Sequence, residues 1–349
     1  MTIKALLTGL FVCAIAGAAV AQAPNLVTEE LKVQSTDPRL KIYLRNKRPA
    51  DLKSFRPDRT VLFVHDESYP AATSFDLNIG GVSWMDFVAG RGFDVFLVDL
   101  RGYGKSDRPR EMAANPAANE PLVRGVAALD DIAVAIETIL ARRKIRKLSL
   151  VGQSWGGTLT AAYASRNPGK VERLVLYAPQ WMSRSPASLP AGAGAPGAPL
   201  AAYRVVTPEQ TRERLLLGVP ESRKFEMFPT GWYEAFVQAT WATDPLGVQS
   251  GQKVMRVPNG ALQDFAEYWA AGKPYYDPAK ITAPTLLVVG EWDQDTPPYM
   301  AQTLLPLLTN SQGRRAVILP EGTHNVFMER NRNGLLQAVQ IFLEERAKQ

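Results

Sequence analysis

Gly152-Gln153-Ser154-Trp155-Gly156, followed by Gly157, places one serine between glycines at the end of an apolar run and the start of a helix-compatible segment. A strand, then G-x-S-x-G, then a helix is the context that a nucleophile elbow requires. The turn strains the serine backbone, and its neighbours must lack side chains where strand and helix crowd together. The alternative is a glycine-rich turn with an incidental serine. A serine hydroxyl is a poor nucleophile near neutral pH, so it needs a base within hydrogen-bond reach and a third group to orient that base. The chain has two histidines: His65 ends an early apolar run, and His324 lies in EGTHNVFME after the last one. With an elbow of this kind the partners follow in the order serine, acid, histidine, which selects His324. The acid is then sought in VVGEWDQDTPP, which offers Glu291, Asp293 and Asp295. Each of these could instead be an ordinary turn carboxylate. A serine, acid and histidine so ordered would attack a carbonyl and pass through an acyl-enzyme.

These residues need a scaffold. Short apolar runs occur at 60 to 65, 93 to 100, 148 to 152, 173 to 178, 285 to 290 and 316 to 320. Each is nearly continuous in apolar character, as strands buried on both faces of a parallel sheet should be. Helical spacing of three and four joins Leu129, Ile132, Ala133, Ile136, Ile139 and Leu140, and again Leu335, Val339, Phe342 and Leu343. The alternation predicts an α/β fold with a mainly parallel sheet flanked by helices. LKVQS and KIYLR are weaker strand candidates for an antiparallel edge.

The alternation breaks between the runs ending at Ala178 and beginning at Thr285. A Pro/Gly/Ala-rich linker at 186–199 opens the break, and helical patterns follow. Thr207-Pro208-Glu209-Gln210 has the pattern of a capped helix start, and GWYEAFVQATW and ALQDFAEYWAAG are two further helices. The expected organisation is a core of 22–181 and 279–349 with a helical cap inserted at 182–278. Twelve of the chain's aromatic residues fall between Tyr203 and Tyr276. They could line an apolar or aromatic substrate pocket, or, as with Trp232, Phe236, Phe265 and Trp269, form the cap's own core.

A chain of 349 residues with 46% hydrophobic content can bury a sizeable core, and 21% charged residues are too few and too mixed for disorder. The first residues, with Lys4, an apolar run through Val20 and Ala19-Val20-Ala21, match a secretory signal peptide spanning 1–21. Cleavage is expected after Ala21, with a cut after Ala23 as the second possibility; an uncleaved anchor would need a longer apolar run. The expected location is secreted or periplasmic, with no membrane attachment after cleavage. Cys13, the single cysteine, leaves with this segment, so the mature chain would hold no disulfide, cysteine nucleophile or cysteine metal site. The formal charge of +6 becomes +5 without Lys4, and its cations are dispersed, so no nucleic-acid tract stands out. The short run Arg142-Arg143-Lys144 is expected to be a solvated helix end. No metal or organic cofactor is indicated.

Taken together, the elbow, the histidine after the last strand and the acidic loop resemble the α/β-hydrolase superfamily over nearly the whole mature chain. VDLRGYGKSDRP (98 to 109) and NPGKVERLVLYAP (167 to 179) resemble further parts of its core. The elbow is similar to that of prolyl aminopeptidases, whereas the inserted segment resembles esterase-like members. The superfamily's acid usually follows a strand as G-x-x-D, which Gly290-Glu291-Trp292-Asp293 matches, so the resemblance implies Asp293, with Asp295 as the second candidate. It also implies an oxyanion hole from the backbone N–H groups of Trp155 and Glu67. The sequence departs from the family there, since FVHDESYP carries Asp66-Glu67 where relatives have His-Gly followed by a small or apolar residue. A carboxylate beside a developing oxyanion opposes its charge unless the side chain points away or pairs with a cation. Either these carboxylates bind a cationic substrate group, or they face solvent or cap the loop while the amide points inward. The activity implied is serine-dependent cleavage of a carboxylic ester on a small-molecule substrate. The alternatives are an aminopeptidase or amidase and a non-catalytic binding protein.

Overall fold

Among the described residues ten strands form: β1 (Leu26–Gln34), β2 (Lys41–Pro49), β3 (Thr60–Val64), β4 (Asp94–Asp99), β5 (Leu148–Gln153), β6 (Val171–Tyr177), β7 (Tyr203–Val206), β8 (Met255–Pro258), β9 (Thr285–Gly290) and β10 (Arg314–Leu319). They are seen in a computed structural model that describes residues 25–184, 199–251 and 253–345. The expected signal peptide at 1–21 and positions 186–198 of the expected linker lie outside the described residues. Eight strands make one sheet in the order β1-β2-β4-β3-β5-β6-β9-β10. From β4 to β10 neighbouring strands run parallel, and β1 and β2 add the expected antiparallel edge.

Burial follows position in the sheet. Every residue of β3, β4, β5 and β9 is buried, as the continuous apolar runs require. The last run differs from expectation: β10 is an edge strand, and Ile318 is 45% exposed. An apolar sequence alone does not distinguish a central strand from an edge one. The helices Gly125–Arg143, Trp155–Arg166 and Arg332–Glu344 flank the sheet and bury their apolar stripes in the core.

Because β3, β4, β5, β9 and β10 are parallel, the loops after them emerge along one rim, which is where side chains from distant parts of the chain can meet. The segment between β6 and β9 packs on this rim: Phe236 meets Tyr69 with ring centroids 5.1 Å apart, and Phe327 at 6.3 Å. Its helix Pro208–Leu215 carries the anticipated capping box, Thr207 with Gln210, and the helix Trp232–Trp241 also forms. The third helical pattern begins as Gly260–Asp264 and widens into a π-helical turn, Phe265–Trp269. The segment is not purely helical, since β7 and β8 pair antiparallel within it. Each strand is four residues long with helices between them, so no alternation or hairpin turn announces the pairing in the sequence.

Arg143 corrects the expectation of a solvated helix end. It is buried, with its guanidinium on Asp94 at 2.7 Å and on Asn46 at 3.0 Å. A second buried pair stabilises the rim. Asp131 accepts from the Arg101 backbone N–H, from Arg101 Nε and Nη2 at 2.8 and 2.7 Å, and from the Ser35 hydroxyl at 3.0 Å. It thereby joins the β1–β2 connection, the loop after β4 and the long helix Gly125–Arg143. Removing one partner strands the other charge, so Asp131→Ala is expected to cost about 3 to 5 kcal/mol in urea unfolding. A loss below about 1 kcal/mol would show that the pair does not hold the loop.

Candidate active site

Ser154 sits between β5 and the helix Trp155–Arg166 with φ 53° and ψ −119°, a backbone conformation that non-glycine residues rarely adopt. The glycines make this turn possible. A Cβ on Gly156 would lie 2.2 Å from the His65 carbonyl oxygen, and one on Gly152 would lie 2.4 Å from Thr160 Oγ1. The helix can therefore approach the loop after β3 only at glycine. The Ser154 amide donates to the Tyr177 carbonyl at 2.8 Å, tying the turn to β6. The side chain is 1% exposed, and its Oγ has no hydrogen-bond partner.

His324 and Asp293 meet as the resemblance implied. His324 Nδ1 donates to Asp293 Oδ2 at 2.8 Å, with both residues buried. The other Asp293 oxygen accepts from the amides of Asp295 and Thr296 at 2.9 and 2.8 Å, the local bonding of a turn carboxylate. Asp293 thus caps its own turn and orients the imidazole at once. The Thr296 hydroxyl donates to Asp293 Oδ2 at 2.8 Å and lies 3.2 Å from His324 Nδ1. Asp295 is drawn elsewhere, to Arg214 Nε at 3.1 Å. The histidine loop is anchored by Tyr177, whose hydroxyl donates to the His324 carbonyl at 2.7 Å, and by a 3.1 Å bond from Gln153 Nε2 to Asn325 Oδ1. Burial by itself would lower the His324 pKa, but the Asp293 carboxylate outweighs it and raises the group to about 9. Burial would raise the Asp293 carboxyl, and the facing imidazole and Thr296 bring it below its ordinary value. His324 Nε2, like Ser154 Oγ, has no hydrogen-bond partner.

His65 is a structural histidine. Burial lowers its pKa to about 4, so it is neutral. The Leu100 amide donates to its Nε2 at 3.1 Å, leaving the proton on Nδ1, which bonds the Asp66 carbonyl at 2.6 Å. That carbonyl and the Glu67 N–H share one planar peptide and point in opposite directions. His65 therefore sets the direction of the Glu67 amide. Tyr103 secures the next peptide, its hydroxyl donating to the Glu67 carbonyl at 2.8 Å. Among the described residues, no other residue accepts from the Trp155 or Glu67 amide.

The two acidic side chains do not face solvent. Asp66 caps the loop, accepting from the Ser68 and Tyr69 amides at 2.8 and 2.7 Å. Burial and the neighbouring Glu67 charge raise its pKa to about 7. Glu67 is 3% exposed, and its carboxylate takes protein cations as partners: Arg214 Nη2 at 3.1 Å and Arg204 Nη2 at 3.7 Å. Burial opposes its charge, but these two guanidinium groups hold the carboxyl well below its usual range. No sequence pattern pairs these arginines with the loop, because β7 and the helix Pro208–Leu215 meet it only in three dimensions. Thr296 was legible in principle, as the residue three positions beyond an aspartate that caps its own turn.

Most of the inserted segment's aromatic residues are its own core or its contact with the rim, as with Trp269 against Tyr275 at 5.8 Å and Phe236 on Tyr69. A cavity of about 650 Å³ also opens in this segment, lined by Tyr233, Val237, Trp241 and Val248 together with Arg212 and Lys253. None of Ser154, Asp293 and His324 lines it. Among the described residues, no group of three or more His, Cys, Asp or Glu side chains is placed to hold a metal ion, and no helix is long and apolar enough to cross a membrane.

The chain is similar to a 2-hydroxy-6-oxononadienedioate/2-hydroxy-6-oxononatrienedioate hydrolase of Cupriavidus pinatubonensis, at 26% identity over 67% of this chain and 73% of the relative. Among solved structures, a thermophilic esterase from Thermogutta terrifontis superposes with a TM-score of 0.59 at 19% identity, covering 92% of this chain and all of the esterase chain. A bacterial membrane phospholipase A superposes with a TM-score of 0.58 at 21% identity, covering 91% and 86% of the two chains. At these identities the two structural likenesses are of fold. Residues 70–331 match the alpha/beta hydrolase fold family, and the chain belongs to that family.

Proposed function

We propose that this α/β hydrolase cleaves a carboxylic ester through a serine acyl-enzyme. The observation that carries the reading is the 2.8 Å Asp293–His324 pair on the same rim as the strained turn of Ser154, with Ser154 Oγ and His324 Nε2 both lacking protein partners. In this reading Ser154 Oγ attacks the carbonyl and His324 Nε2 takes its proton. The imidazolium then gives that proton to the leaving alcohol, and water, activated by the same histidine, releases the acid. Asp293 holds the imidazole in the productive tautomer, and the amides of Trp155 and Glu67 stabilise the oxyanion. Segment 182–278 serves as a cap, and its aromatic content favours a small substrate with an apolar or aromatic part. The signal-peptide pattern of the first residues supports a periplasmic or secreted location.

A second reading draws on the Cupriavidus relative, whose named substrates are oxo-dioates instead of esters. Ser154, with His324 as its base, would then attack a ketone carbonyl, the adjacent C–C bond would break, the departing carbon would take the proton from the imidazolium, and water would release the acid. The aminopeptidase alternative keeps its elbow resemblance but loses the free carboxylates for a substrate ammonium, since Glu67 already faces two arginines and Asp66 caps its loop. A panel of short aryl esters, 2-hydroxy-6-oxo-dienoates and aminoacyl arylamides separates the three.

Ser154→Ala is expected to abolish turnover of the substrate so found, a loss of about a millionfold in kcat. Activity retained at the wild-type level would sink the serine mechanism. The pH profile gives an independent check. The base must be neutral to accept a proton, and Asp293 raises the His324 pKa to about 9, so kcat/KM should climb with pH along a limb centred above the ordinary histidine value. Asp293→Asn removes the raising charge and leaves burial, so the limb should move downward while kcat falls about 10,000-fold. A limb that does not move would show that Asp293 does not set the protonation of the base.

A further inference from the structure

The amide expected to meet an oxyanion belongs to a glutamate, and that glutamate is buried. Its carboxylate lies one side chain away from its own N–H, where an uncompensated negative charge would oppose the charge that forms during acyl transfer. The compensation comes from outside the core. Arg204 is on β7, with Nη2 3.7 Å from Glu67 Oε1 and 3.1 Å from Ser68 Oγ; its Nη1 is held by the Pro258 carbonyl and Asn259 Oδ1. Arg214 closes the last turn of the helix Pro208–Leu215 and spans two loops. Its Nη2 reaches Glu67 Oε1 after β3 at 3.1 Å, and its Nε reaches Asp295 Oδ2 after β9 at 3.1 Å.

Of the two, Arg214 makes the shorter contact with Glu67, and it alone also joins the loop that carries Asp293. Its placement depends on the helix being fixed at its start. The Thr207–Gln210 capping box does this, together with the Tyr233 hydroxyl, which donates to the Pro208 carbonyl.

We propose that Arg214 is a positioning residue for oxyanion stabilisation: it neutralises Glu67 and holds the loop after β3, so that the Glu67 amide faces the reacting oxygen without an opposing carboxylate charge. The inference rests on the serine-hydrolase reading above. It makes the inserted segment part of the catalytic machinery, because the core alone supplies the glutamate but not the cation that neutralises it. The substrate ester needs no charge of its own for this effect, which acts on the transition state and should therefore appear in kcat more than in KM.

The test uses the full chain and a short aryl ester, with the rate of Ser154 labelling by a fluorophosphonate as a second readout that also builds charge on an oxygen in the hole. Arg214→Met is expected to lower kcat by about 100-fold, with KM changed by no more than about threefold. Arg214→Lys keeps the charge and should retain most of the rate. Adding Glu67→Gln to Arg214→Met removes a carboxylate left with Arg204 alone and should recover at least about tenfold of the lost kcat. Thermal unfolding of each variant controls for folding, and Arg214→Gln, polar but uncharged, replaces the Met variant should the latter not fold. An unchanged kcat in the uncharged variants, or a double variant no faster than the single one, overturns the proposal. Turnover that survives Ser154→Ala would instead overturn the serine-hydrolase reading, whereas turnover that needs Ser154 but ignores the charge at 214 removes only this inference.

Discussion

Ser154 occupies a backbone conformation that costs about 1 to 3 kcal/mol and persists only where the surroundings over-determine it. Much of the core can be understood as that over-determination. The fully buried strands β3 and β5 lie side by side beneath the turn, β6 accepts the Ser154 amide, and the elbow helix presses Gly156 against the His65 carbonyl with no room for a methyl group. Any larger residue at Gly156 would push the helix away from the loop after β3 and separate Trp155 from Glu67. The glycines therefore do more than permit a turn: they set the spacing between the two amides that the proposed mechanism places around one oxygen.

The second constraint is electrostatic. Several buried ionisable groups have specific partners, at the rim and, for Asp94 at the start of β4, at the opposite end of the sheet. Asp131 neutralises Arg101, Asp94 neutralises Arg143, Asp293 faces His324, and Glu67 faces Arg204 and Arg214. The first two pairs brace loops and helices of the core. The last two lie at the candidate site, and one of them crosses from the core to the inserted segment. Where the charge of a buried pair is matched from another element, the orientation of that element becomes part of the site's electrostatics.

The sequence disclosed the parts of this arrangement that are local. The strand, turn and helix around Ser154, the capping box at Thr207, and the order of serine, acid and histidine are written in short stretches, because each depends on neighbouring residues. The choice of Asp293 over Asp295 needed the family pattern, since both are turn carboxylates by type; the structure separates them by their partners, His324 for one and Arg214 for the other. What the sequence did not disclose is long-range. The exposure of β10 depends on its being last in the sheet, the pairing of β7 with β8 bridges intervening helices, and the burial of Glu67 depends on arginines more than a hundred positions away. Of the alternatives for the acids Asp66 and Glu67, capping the loop holds for Asp66, whereas Glu67 is buried against cations supplied by a different segment.

The bond between Gln153 and Asn325 joins positions 172 residues apart, and it illustrates a property of the whole rim. The serine belongs to the middle of the chain, whereas the proposed acid and base follow β9 and β10. A growing or partly folded chain can form β3, β4, β5 and the glycine turn yet have no imidazole to activate the hydroxyl. Such long loops close late, after local structure is in place. The side chains that the proposed mechanism uses are thus brought together only when the final strands dock.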